Sequence, residues 1–390
     1  MTLDPITLTQ QLVRIPSVTD APNFEVSTAM RSLLSDLGFD VVEHPYVDAH
    51  GLDKIAISAC RQPTSQSSDQ SNSPPRGPGV GYFCHNDVVS VEGWECSAGG
   101  AFEANITDGK IWGRGTCDMK GSAATALAAI SRIDQASQTA PLYFFVTGDE
   151  ESGMVGAEVL ASQSEQFKQL ASQGGLGIIG EPTQLKPVLS HKGACHVKIS
   201  AHGVAAHSST RDGKNANWQL IPMLAELKQI NDRCETDPTL QNDLFDPPTL
   251  TMNIVVENAP QMANITVGTA TASVFFRPMP DTAWESVATQ IMEAATKHDL
   301  QAKRFRSLPP LHTEANRPQI QTFLHTVGST DVQAVCYATD GCCFSAMEDL
   351  VVFGPGHIEQ AHRADEWVSL DALRLGTDAF ERIFRAFATQ

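Results

Sequence analysis

Short, unbroken apolar runs alternate along the chain with stretches of helical periodicity, and that alternation restricts the possible folds more than any other feature. GVGYFC (79–84), LYFFVT (142–147), LGIIG (176–180) and LVVFG (350–354) lack the polar residue at every second position that a half-exposed strand needs. Strands of this kind belong in a largely parallel sheet, where crossover helices cover both faces. Helical spacing fits 5–15, 24–37, the Ala-rich stretch 122–133, a stretch around 153–171 and the final DALRLGTDAFERIFRAF. Shorter β-type runs stand at 39–42 and 54–59. The polar RQPTSQSSDQSNSPPRGPG (61–79) has nothing to anchor a core and is expected to be a solvated loop joining two neighbouring strands. After about residue 190 the texture changes. HVKISAHG, TLTMNIVV and TATASVFFRP alternate apolar with polar residues, and the helical WQLIPMLAELKQI lies between them. The expected architecture is α/β: a mostly parallel sheet sandwiched by helices, built from 1–190 and 307–390. An α+β domain of antiparallel sheet plus helices is inserted at 191–306.

Charge narrows the function. The 390 residues carry 45 Asp and Glu against 27 Lys and Arg, a net charge of −18, with no basic run to offset it. A polyanion would be repelled, so nucleic acid is not an expected partner. The apolar runs fall well short of the ~20 residues that span a bilayer, so no membrane association is expected. The N-terminal MTLDPITLTQQLVRIPSV has no secretory pattern, and the nine cysteines are scattered with no C-x-x-C pair. Reduced thiols in a cytoplasm are the expectation. No G-x-G-x-x-G follows a first strand, which argues against a dinucleotide enzyme.

Acids and histidines recur at one kind of place. His85-Asn86-Asp87 follows GYFC, Asp118 follows GRGTC, Asp149-Glu150-Glu151 follows FFVTG, Glu181 follows LGIIG, and His362 lies in the loop after LVVFG. In open α/β sheets the ends of strands from different βα units meet at one crevice. Taken singly, an H-x-D is an ordinary surface pair and a DEE an ordinary helix start; the repeated placement is the signal. Clustered carboxylates repel one another and raise each other's pKa, a conflict that a divalent cation removes. Mixed imidazole and carboxylate donors suit Zn²⁺, with Co²⁺ or Mn²⁺ as substitutes, better than Ca²⁺ or Mg²⁺. Five donors exceed one open zinc site. Two metal ions fit the count: His85 and Glu181 on one, Glu151 and His362 on the other, Asp118 between them. Asp87, two residues beyond His85, is placed to accept the other imidazole N–H. Glu150 is left to face the water as general base.

The stretches CHNDVV, GRGTCDMKGS, TGDEESGMVGAE, IIGEPTQLKPVLSHKG, AHGVAAHSST with GKNA, FFRPMP and FGPGHIEQAHRADE run in order over nearly the whole chain. Together they resemble the di-zinc amidohydrolases that include acetylornithine deacetylase, succinyl-diaminopimelate desuccinylase, aminoacylase and glutamate carboxypeptidases. The resemblance implies the same five ligands, with Asp118 bridging and Glu150 the base. It also implies that the inserted domain is a lid that forms a homodimer. His207 then looks like the lid histidine that stabilises the oxyanion, and Asn264 and Arg277 sit where members bind the substrate carboxylate. Within the family, GEPTQLKPVLSHKG and GPGHIEQAHRADE look most like acetylornithine deacetylase, and Glu181, rather than Asp, leans toward deacylases over aminopeptidases. The implied activity is removal of the acyl group from a small N-acyl amino acid, with desuccinylase, aminoacylase or carboxypeptidase action as alternatives. A catalytically silent, metal-dependent binding protein is the non-enzyme alternative. Ser122, where a second glycine is usual, and YATDGCCFS, which matches no substrate signature, depart from the pattern.

Overall fold

The computed structural model describes residues 2–64 and 77–389. The central part of the polar stretch 61–79 (65–76) lies outside the described residues. The chain divides into two compact units: Met1–Leu189 with Thr313–Gln333 and Thr339–Gln390, and Ser190–His312 with Ala334–Ala338.

In the first unit the apolar runs become strands Val80–His85, Leu142–Thr147, Leu176–Ile179 and Asp349–Val352, every residue of each buried. They lie side by side, all parallel, in the order 142–147, 80–85, 176–179, 349–352. Strands Asp53–Arg61 and Asp40–Val47 extend the sheet antiparallel from the 142–147 side. Asp40–Val47 is the outer edge, and its exposed residues include Asp40 and Pro45, which suit a strand with one unpaired side. One expectation is corrected here. Strands 53–61 and 80–85 are not neighbours, because 142–147 is inserted between them.

Alternate residues of the central strands face two different layers. Tyr82, Phe144 and Ile178 pack with the helices Pro5–Val13, Phe24–Asp36, Lys120–Ser131, Pro318–Val327 and Leu370–Ala388 in one continuous core. Phe83 and Phe145 stack at 4.5 Å between ring centroids on the other face, and Phe167 and Phe344 close over them. Ser122 now has a reason. Its hydroxyl lies 2.8 Å from the phenol oxygen of fully buried Tyr82, which a glycine would leave without that partner. The helical stretch around 153–171 is two helices, Val155–Gln163 and Glu165–Ser172. Ser164 stops the first and caps the second by accepting a hydrogen bond from the Phe167 N–H at 3.1 Å.

The second unit is a four-stranded antiparallel sheet in the order Met252–Ala259, Thr269–Phe276, Cys195–His202, Gln301–Arg304. Burial alternates along 195–202 and 269–276, as the two-residue period requires. The buried face packs on helices Asn217–Thr236 and Trp284–Lys297.

Candidate metal centre

The four parallel strands deliver their chemistry at their carboxyl ends. His85 is the last residue of its strand; Glu150 and Glu151 follow Leu142–Thr147 after a Gly148-Asp149 turn. Glu181 stands two residues past Leu176–Ile179, and His362 lies in the loop after Asp349–Val352. Asp118 sits just ahead of helix Lys120–Ser131. The Glu181 and His362 loops are stitched together by backbone bonds from Thr183 and Leu185 to the Gly354 carbonyl and from Gln184 to the Gly356 carbonyl.

The five donors converge. His85 Nε2 is 3.0 Å from Asp118 Oδ1 and 3.6 Å from Glu181 Oε1. His362 Nε2 is 2.9 Å from Glu151 Oε2 and 3.4 Å from Asp118 Oδ2. Asp118 therefore turns one oxygen to each imidazole, with a glutamate beside each. Ligand atoms of His85, Asp118 and Glu151 all fall within 4.8 Å of one another. His362 itself holds a left-handed φ of 63°, a strained conformation that a functional loop tolerates when its surroundings enforce it.

Asp87 does more than orient an imidazole. His85 Nδ1 lies 2.9 Å from its backbone carbonyl oxygen and 3.5 Å from its carboxylate. That carboxylate also accepts the backbone N–H groups of Glu150 (3.2 Å) and Glu151 (3.3 Å). One buried acid thus registers two strand ends. Asp149 is spent on structure: it accepts from Tyr46 Oη at 2.9 Å and from the Val155 and Gly156 N–H groups at 2.8 Å each, aiming the turn that presents Glu150.

Electrostatics describe a centre with too much negative charge. Burial, then the charge of Asp118, pushes the Glu151 and Glu181 carboxyls above the usual range. Glu150 is raised by burial and by the carboxylates of Glu181, Glu151 and Asp340, although His85 opposes the shift. Burial works against ionised Asp118, yet its hydrogen bonds to His362 and His85 win and hold it well below normal. The same bonds, to Asp118 and Glu151, lift His362 to about 10. Imidazoles raised by acids and acids raised by each other mark a site whose negative charge a cation would offset, and the mixed imidazole and carboxylate donors fit a divalent cation.

Three buried polar residues near this centre escaped the sequence reading. Lys54 donates from Nζ to the carbonyls of Thr19 and Gly148, anchoring the turn before Glu150. Asp340, inside the unassigned YATDGCCFS, accepts from Thr147 Oγ1 at 2.5 Å, and burial pushes it up to about 7. Glu366 is fully buried and takes four donors from the segment leading to Asp118. An acid after LVVFG was a visible signal for Glu366; Lys54 gave none, since a lysine on a strand is ordinarily a surface residue.

The remaining candidates lie in the second unit. His207 is exposed, its Nδ1 2.7 Å from Ser209 Oγ, and it bridges to Ile265, next to the exposed Asn264. Arg277 follows strand Thr269–Phe276, its guanidinium 5.0 Å from the centre of the Phe275 ring.

The sequence profile described as peptidase family M20/M25/M40 matches residues 82–386. The acetylornithine deacetylase of Proteus mirabilis is 28% identical over 381 residues, covering 94% of this chain and 92% of that protein. That of Myxococcus xanthus is 27% identical over 385 residues, with 94% and 93% covered. Among solved structures, an M20 family metallo-carboxypeptidase from Sulfolobus solfataricus superposes with a TM-score of 0.73 at 16% identity, covering 98% of this chain and 99% of that one. An aminopeptidase from Bacillus cereus gives 0.71 at 16% identity, covering 98% of each. At such identities these two matches establish the fold alone.

Proposed function

The chain belongs to peptidase family M20/M25/M40, and from that premise we propose that it is a metal-dependent amidohydrolase removing the acyl group from an N-acyl amino acid, N-acetylornithine foremost. The observation that carries this reading is the paired arrangement about Asp118, with one carboxylate oxygen toward His85 and the other toward His362. His85 and Glu181 would hold one divalent ion, Glu151 and His362 a second, with Asp118 shared and Zn²⁺ the expected metal. Ions held there supply Lewis acidity for the amide carbonyl and lower the pKa of water at the site.

The chain's own groups do the rest. Among the described residues the Glu150 carboxylate has no hydrogen-bond partner, while Asp87 pins its backbone N–H. Glu150 is thereby held in place yet free to take the proton from the attacking water and pass it to the leaving amine. Asp87 keeps the His85 ring oriented through Nδ1. Arg277 and Asn264 would bind the free carboxylate of the substrate, and His207 would donate to the oxygen that gains charge in the transition state.

A hydrolysis panel tests the assignment. With Zn²⁺ or Co²⁺ present, N-acetylornithine should be cleaved faster than N-succinyl-diaminopimelate, other N-acyl amino acids or dipeptides. Preference for the succinyl substrate would make the protein a desuccinylase, and bound metal with no hydrolysis at all would support a silent binding protein.

A homodimer through the inserted domain belongs to the same proposal. Strand Met252–Ala259 is the edge of its sheet and exposes Val255 and Val256, while Trp218, Ile221 and Met262 are also exposed in this unit. An uncovered edge with apolar side chains invites strand pairing with a second copy. Light scattering should report a dimer, and Val256→Lys should shift it toward monomer; an unchanged dimer would place the interface elsewhere. Among the described residues no helix is long and apolar enough to cross a membrane, and all nine cysteines are free thiols. A cytoplasmic setting is proposed on the latter.

A further inference from the structure

We propose that Glu366, with its partner Arg114, is the positioning residue of the metal centre, setting the backbone that carries Asp118. This rests on the metal-dependent reading above. Glu366 is 0% exposed and its carboxylate is fully engaged. Oε1 accepts the N–H groups of Cys117 (2.8 Å) and Asp118 (3.1 Å). Oε2 accepts the Gly115 N–H (3.0 Å) and Arg114 Nη1 (2.8 Å). Backbone N–H groups at 115, 117 and 118 that point to one spot form a concave anion cradle. Here the cradle is filled by the chain's own carboxylate. Gly115 allows the wrap: its φ is +84°, and a Cβ there would stand 2.7 Å from Val88 Cγ1.

The pair reaches three of the segments that carry ligands: those of His85, Asp118 and His362. Glu366 is four residues past His362, so the loop bearing that ligand and the turn bearing Asp118 share one anchor. The Glu366 backbone carbonyl also accepts from the Gly113 N–H at 3.0 Å. Arg114, 3% exposed, reaches from Nη2 to the Ser90 carbonyl at 3.4 Å and lies over the Trp94 ring at 5.5 Å, on the segment that continues from His85. The Glu95 N–H donates to the Ala364 carbonyl at 2.9 Å, closing the circuit.

Stability of the ion pair alone does not explain this design. A buried ion pair usually contributes little net stability, and apolar residues of similar volume often do better. An extra anion beside the Asp118 carboxylate adds repulsion as well. What the carboxylate supplies is four converging acceptor contacts, which fix the Asp118 backbone so that its two oxygens face opposite imidazoles.

The experiment is metal titration of the apoprotein by calorimetry, with metal counted after dialysis and folding checked by circular dichroism. Glu366→Gln keeps the volume but turns an NH₂ toward N–H donors. It should fold yet hold metal about 10–100-fold more weakly, as loss of an outer support typically does. Its kcat should fall at limiting metal, recover with excess metal, and leave KM nearly unchanged. Arg114→Met leaves the backbone cradle intact and should weaken metal binding in the same sense by a smaller factor. Folded variants that bind metal within twofold of wild type would overturn the proposal. If Glu366→Gln fails to fold, Arg114→Met decides on the same readout: measurably weaker binding supports the proposal and unchanged binding overturns it. A wild-type protein that binds no metal overturns the hydrolase reading itself, a result that cannot be mistaken for either variant's.

Discussion

Glu150→Gln should bind metal as the wild type does and lose about 10²–10⁴ in kcat, the range that positioned proton transfer supplies. That corresponds to about 3–5 kcal/mol of transition-state stabilisation. The substitution keeps the shape of the side chain and removes only its ability to accept a proton. Three features lead to this expectation. The backbone N–H is pinned by Asp87, whereas the carboxylate is unpartnered among the described residues. Burial, and then the carboxylates of Glu181, Glu151 and Asp340, raise its pKa above that of a plain surface acid, the direction a general base needs. The kcat/KM of the wild type should therefore rise with pH through an acidic limb as Glu150 ionises, and that limb should vanish in Glu150→Gln. A variant that retains more than a tenth of the wild-type rate with the same limb would remove Glu150 as the base. Metal content measured alongside separates this from damage to the centre, since Glu151, one residue on, is the proposed ligand.

The architecture was legible wherever a physical period or a burial requirement writes itself into composition. LYFFVT and LGIIG read as strands covered on both faces, and they are. HVKISAH, alternating apolar with polar, reads as a strand of a sheet with an open face, which it is. Sheet order was not legible. Nothing in the residues of 53–61 or 80–85 records that 142–147 lies between them, because the choice of pairing partner is settled by tertiary packing. The ligand candidates could be found because their side chains carry the chemistry and stand at strand ends. Glu366 and Lys54 could not be given roles, since what they hold is mostly backbone: N–H groups at 115, 117 and 118 and the Gly148 carbonyl. Backbone groups are identical at every position, so a sequence does not show which of them need a partner. Asp149 and Glu150 make the same point side by side. Two adjacent acids look interchangeable in the sequence, yet one caps helix Val155–Gln163 and the other faces the site.

Removal of metal by a chelator should abolish hydrolysis, with Zn²⁺ or Co²⁺ restoring it, and should also make stability depend on pH in a particular direction. In the metal-free protein Glu151 and Glu181 titrate above their ordinary value of 4.5, because burial and Asp118 disfavour their ionised forms. His362, hydrogen-bonded to Asp118 and Glu151, titrates at about 10 rather than 6.5. Each of these groups keeps a proton in the folded state that the unfolded chain releases. Their contribution to stability is complete below the unfolded pKa and is lost as pH rises through the folded one. Asp87 and Asp118 are shifted downward and act in the opposite sense, but their window lies below 3.8. Lys120, lowered by burial to about 7, also opposes the trend; Asp340 and Glu366, each raised by burial to about 7, together with His362 outweigh it between pH 6 and pH 8. The chelated protein should therefore melt at progressively lower temperature between pH 6 and pH 8. Metal takes the place of those protons, so its affinity rises over the same interval. At a free concentration a thousandfold above Kd, one bound ion adds about 4 kcal/mol. The melting-temperature gap between metal-loaded and chelated protein should widen from pH 6 to pH 8. A gap that stays constant would mean the raised imidazole and carboxyl groups are not the ones that metal displaces, and the assignment of His362, Glu151 and Glu181 as ligands would fail with it.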